Sequence, residues 1–85
     1  MKLRLTPHAL EQMERRGLGR DLVERVLANP QQEREARLGR VALQSKVNFP
    51  DGEYLLRVIV DRRIDPPRVV TVYRTRYIAK YWRQE

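Results

Sequence analysis

The sequence predicts an α+β domain: two N-terminal helices packed on one face of a curved four-stranded antiparallel sheet, then a short C-terminal tail. Three observations lead there. Apolar residues in the first third recur at helical spacing between clear stop signals, and those over residues 40–74 alternate with period two. A chain of 85 residues with 41% hydrophobic content can bury one thin core and no more, so a single domain spans 1–85.

Leu3-Arg4-Leu5 has the composition of a short edge strand. Thr6-Pro7 opens the first helix, with Thr as N-cap and Pro at the first helical position. That helix runs from about Pro7 to Arg16, with Leu10, Met13 and Gly17 on one side and Ala9 beside them, and Gly17 closes it. The second helix covers about Arg20–Ala28, carries the stripe Leu22, Val23, Val26 and Leu27, and stops at Asn29-Pro30. Gln32–Leu38 is mostly polar and reads equally as an edge strand or a loop. Arg40–Phe49 alternates, Pro50-Asp51-Gly52 is a hairpin turn, and Glu53–Asp61 is the strongest strand. Arg62–Pro67 is a polar turn and Arg68–Arg74 the last strand. Arg76–Arg83 forms a short helical or irregular tail anchored by Tyr77, Ile78, Tyr81 and Trp82.

Because side chains alternate between the faces of a strand, parity sorts them. Val41, Leu43, Val47, Phe49, Tyr54, Leu56, Val58, Val60, Val70 and Val72 fall on the face that the helices cover. Gln44, Lys46, Asn48, Arg57, Thr71, Tyr73 and Thr75 fall on the other, which is expected to stay open. Cations, hydroxyls and amides around an aromatic ring suit RNA.

Charge points the same way. Lys and Arg total 18 against 11 Asp and Glu, a net +7, and 15 of the 18 are Arg. The guanidinium fork pairs with phosphate and stacks on bases. A GC-rich or heat-adapted genome also raises Arg, but explains the net charge less well. Residues Pro66–Gln84 hold Arg68, Arg74, Arg76, Lys80 and Arg83 with no acid among them.

Several classes are excluded. No cysteine is present, which removes disulfides, thiolate nucleophiles and cysteine-ligated zinc. There is no phosphate-binding G-x-x-x-x-G-K-[ST] loop, no G-x-S-x-G elbow and no H-E-x-x-H or similar metal spacing, so neither cofactor nor metal is expected. Met1–Pro7 lacks the apolar segment of a secretory leader, and no run approaches 18 apolar residues. The expectation is a soluble, cytoplasmic protein with no membrane partner.

His8, the only histidine, reads either as a proton shuttle for RNA cleavage or as an exposed histidine in the first helical turn. Arg57 interrupts the apolar run Tyr54–Val60 and reads as a phosphate clamp or a structural salt bridge. Tyr73, Arg74, Thr75, Lys80 and Tyr81 make a polar set around the end of the last strand, where hydroxyls can orient a phosphate and Lys80 can offset its charge. Against that, Tyr73 reads as sheet packing and Tyr81-Trp82 as an apolar lid. Arg15, Lys46, Arg74 and Arg76 are the candidate RNA-binding cations nearby.

His8–Leu18, Val23–Leu27 with Asn29-Pro30, Tyr54–Val60, Val70–Thr75 and Lys80-Tyr81-Trp82 together resemble the small bacterial domains grouped as DUF 4258. The resemblance covers nearly the whole chain. It implies a RelE-like fold of the barnase–EndoU–colicin–RelE superfamily and a metal-independent ribonuclease or toxin. By position it implies site residues His8, Arg57, Tyr73 or Thr75, and Lys80. The expected function is a toxin-type endoribonuclease acting on mRNA, on or off the ribosome, with a cognate antitoxin as second partner. The alternatives are a non-catalytic RNA- or ribosome-binding module and a protein-interaction domain of the same fold.

Overall fold

The computed structural model describes residues 3–84. Met1 and Lys2, on which part of the leader argument rests, lie outside them. The elements in chain order are β1 (Arg4–Leu5), α1 (Pro7–Arg15), α2 (Arg20–Ala28), β2 (Gln32–Glu35), β3 (Val41–Phe49), β4 (Gly52–Asp61), β5 (Arg68–Thr75) and α3 (Ile78–Tyr81). A 3₁₀ turn over Arg37–Gly39 joins β2 to β3.

The local signals act as expected at the first helix. The Thr6 hydroxyl accepts from the Ala9 amide at 3.1 Å, and Pro7 fills a position whose N–H would have no partner. Gly17 takes φ +64°, which lets the Leu18 amide turn back and donate to the Met13 carbonyl at 2.8 Å.

The sheet corrects the prediction. It has five strands in the order β1-β5-β4-β3-β2, and it is mixed, not antiparallel throughout. β1 lies parallel to β5, with the Arg4 amide donating to the Pro67 carbonyl (3.0 Å) and the Thr6 amide to the Val69 carbonyl (3.1 Å). Two residues are too few to display any period, so the sequence shows no more than a short edge there. β2 pairs antiparallel with β3 but contains only polar residues, so alternation gives it no signature. The expected short helical or irregular tail contains a third helix, α3.

Helices α1 and α2 cover one face. Ala9, Met13, Leu18, Val23 and Val26 pack there against Leu43, Leu56, Val58, Val60 and Val72. One residue assigned to this core moves. Ile59 pairs with Thr71 while Val60 pairs with Val69, so a bulge leaves Val70 as the extra residue and Val69 takes its place in the core.

The second face is open only in part, with its centre covered, and this is the larger correction. Gln44 is 0% exposed and Arg57 7%, because α3 and the residues after it lie across them. The covering segment is held by its backbone. The Tyr81 carbonyl accepts from Arg34 Nη1 at 2.8 Å and from Gln44 Nε2 at 3.1 Å. Gln32 donates through Nε2 to the Arg83 carbonyl (2.6 Å) and accepts at Oε1 from the Arg83 amide (3.0 Å).

Candidate functional site

Register places Gln32, Gln44, Arg57 and Tyr73 directly opposite one another across β2, β3, β4 and β5. A row of polar residues buried at the middle of a sheet is costly unless every group is bonded. Here the bonds run along the row. Gln44 Nε2 donates to Gln32 Oε1 at 3.0 Å, Arg57 Nε to Gln44 Oε1 at 2.9 Å, and Arg57 Nη1 to the Tyr73 hydroxyl at 2.6 Å. The Arg57 guanidinium also lies 4.1 Å from the centre of the Tyr81 ring, in cation–π range. No carboxylate among the described residues pairs with it.

Arg57 and Tyr73 form the floor of a pocket of about 640 Å³. The rest of its lining comes from the end of β2 and the 3₁₀ turn (Arg34, Glu35, Ala36, Arg37, Leu38, Arg40), from Ile59 on β4, and from Lys80 and Tyr81 on α3. Five cations (Arg34, Arg37, Arg40, Arg57, Lys80) thus face one carboxylate, Glu35. Asp61 stands near, 4.0 Å from Arg40 Nε, but Arg63 holds it with Nη2 at 3.0 Å and Nε at 3.1 Å. Those bonds pull the Asp61 carboxyl down to about 2. Buried Arg40 Nε has no hydrogen-bond partner among the described residues. The pocket therefore has positive charge in excess and a guanidinium short of an acceptor, which is the character of an anion site.

The two tyrosines differ in acidity. Their rings meet edge to face, centroids 6.4 Å apart. Burial pushes the Tyr73 phenol up, although its bond from Arg57 works the other way. The Tyr81 phenol is pulled down, first by its hydrogen bond with Tyr73 and then by Lys80 and Arg57. The two phenols thus shift in opposite directions.

Of the residues expected from sequence, the pocket brings together Arg57, Tyr73 and Lys80. Thr75 lies beyond it and accepts from the Tyr77 amide at 3.0 Å, shaping the turn into α3. His8 is exposed on α1, the helix side, with the sheet between it and the pocket. Arg15 faces Glu11 on the same helix at 3.8 Å. Lys46 sits 4.2 Å over the Trp82 ring. Arg74 and Arg76 are tied to Asp51 at the β3–β4 hairpin, at 3.8 and 2.9 Å, and both stack on Tyr54. Arg34, Arg37 and Arg40 are not among the sequence candidates, although their spacing of three, across the ambiguous Gln32–Leu38 segment and the start of the predicted strand Arg40–Phe49, is a usable signal. Among the described residues, no three His, Asp or Glu side chains converge as metal ligands.

The family model described as domain of unknown function DUF4258 matches residues 5–74. The chain belongs to the DUF4258 family. That match carries the family and not the wider RelE-like grouping. Within the DUF4258 span lie Arg34, Arg37, Arg40, Arg57 and Tyr73; Lys80 and Tyr81 come after its end. No curated protein and no solved structure matches the chain. No helix among the described residues is long and apolar enough to cross a membrane.

Proposed function

We propose that this DUF4258 domain is a toxin-type endoribonuclease whose site is the pocket beneath α3. The observation that carries this reading is Arg57: a buried guanidinium with no carboxylate partner among the described residues, opening onto four further cations. A buried charge that earns no ion pair in the folded protein is explained by an anion that arrives with a ligand.

An RNA backbone phosphate has the required charge and sits beside its own nucleophile, the 2′-hydroxyl. Tyr81, as the phenolate, takes the 2′-hydroxyl proton, and the 2′-oxygen attacks phosphorus. Arg57, Arg40 and Lys80 offset the charge that builds on the non-bridging oxygens. The P–O5′ bond breaks, the leaving oxygen collects a proton from Lys80 or water, and the products are a 2′,3′-cyclic phosphate and a 5′-hydroxyl. Tyr73 holds the Tyr81 phenol and Arg57 in place. Proton transfer, assigned from sequence to His8, thus passes to Tyr81. A cognate antitoxin would cover the same cations.

The test is incubation of a defined single-stranded RNA with the purified protein, with product ends read by mass spectrometry. Fragments ending in 2′,3′-cyclic phosphate are expected. Binding that weakens with salt while the RNA stays intact would leave a non-catalytic RNA binder, because phosphate contacts release counterions. Absence of both binding and cleavage, with and without ribosomes, would remove the reading altogether.

A further inference from the structure

The turn at the pocket mouth has a feature that anion binding leaves unexplained. Leu38 is 69% exposed, the most exposed large aliphatic residue among those described. It also adopts φ 60°, ψ 33°, the left-handed region that disfavours any residue with a Cβ, where asparagine or glycine would sit more easily. The next residue, Gly39, is left-handed too, at φ +72°, and an added Cβ would touch the Arg63 side chain at 3.4 Å. The backbone is therefore bent so as to present a large apolar side chain to water. A residue held outward against both conformation and solvation is a pointer to function.

Its surroundings say what it meets. Apolar Leu38, Ala36 and Ile59 line the same pocket as the cations Arg37, Arg40 and Lys80. A lining that is both apolar and cationic, in about 640 Å³, matches a ligand with a flat apolar part and an anionic part joined by a short spacer. A nucleotide is such a ligand, but in a duplex its base is stacked and out of reach. Unstacked bases of a single strand are available.

We propose that the Arg37–Gly39 turn is a nucleobase wedge: Leu38 packs on an unstacked base of single-stranded RNA whose phosphate lies on the cations behind it. The inference rests on the RNA reading of the pocket and adds its substrate class. Leu38 is a specificity-determining contact, and duplex RNA reaches only the outer cations.

The test compares wild type with Leu38→Asn, because asparagine tolerates the left-handed backbone. Fluorescence anisotropy measures binding of a labelled 2′-O-methyl decamer, which cannot be cleaved, as a single strand and as a duplex over a range of salt. The variant is expected to bind the single strand about tenfold more weakly, as for loss of one base contact. Its duplex affinity and salt dependence should stay within about twofold, since no phosphate contact is removed. Its melting temperature should not fall, which separates a lost contact from a damaged fold. Unchanged single-strand affinity, or equal loss on both forms, overturns the wedge alone. Failure of the wild type to bind either form overturns the wedge together with the RNA reading.

Discussion

Arg57→Met is expected to lower RNA cleavage by about 10³-fold while shifting the unfolding free energy by no more than about 2 kcal/mol. The two expectations have different origins. Arg57 supplies a preorganised donor at the floor of the pocket, and removing one such donor from a transition state costs a factor of this order. Folding is a closer balance. Methionine leaves Gln44 Oε1 without the bond it accepts at 2.9 Å, a loss of about 1–3 kcal/mol. It also removes a guanidinium that is 7% exposed and has no carboxylate partner among the described residues, whose desolvation opposes folding. Methionine keeps most of the stem volume, so little cavity is added. Single-turnover cleavage and chemical denaturation measure the two effects. A variant that loses more than about 4 kcal/mol would make Arg57 a structural crosslink and not a site residue.

Tyr81→Phe should reduce cleavage by about 10²–10³-fold and leave RNA affinity within about twofold. The substitution spares the structure, because α3 is latched through the Tyr81 carbonyl and not its hydroxyl, and the ring under Arg57 remains. The pH profile carries the mechanistic sign. A phenol acts as base only after losing its proton, so the wild-type rate should climb with pH and level off as the phenol ionises. Tyr73, Lys80 and Arg57 draw the Tyr81 phenol down, which places that ascending limb below the ordinary phenol value of about 10. Phenylalanine should abolish the limb. An ascending limb that survives in Tyr81→Phe would assign the proton transfer to another group.

Much of this architecture was legible, for local reasons. Thr6-Pro7 and Gly17 bracket α1 because cap chemistry is written in single residues. Arg57 was conspicuous because it interrupts an apolar strand. The misses share a cause, which is that they depend on pairings with no local signature. The bulge that exchanges Val70 for Val69 exists only between β4 and β5. β2 contains no apolar residue to alternate, and β1 is two residues long. The covering of the second face's centre was hidden for another reason. Gln32, Gln44 and Arg34 capture the tail through the carbonyls of Tyr81 and Arg83, and any residue type supplies a carbonyl. The pocket wall from Arg34 to Arg40 follows from that closure, so parity alone could find only Arg57 and Tyr73.

The location of the site is the central claim, and amide chemical-shift mapping of the ¹⁵N-labelled protein tests it most directly. Titration with the uncleavable single-stranded decamer should move the amides of Arg34–Arg40, Arg57, Ile59, Tyr73, Lys80 and Tyr81 furthest, and those of His8–Arg15 least. Largest shifts along His8–Arg15, with the pocket amides unmoved, would place RNA on the helical side of the sheet and contradict the account.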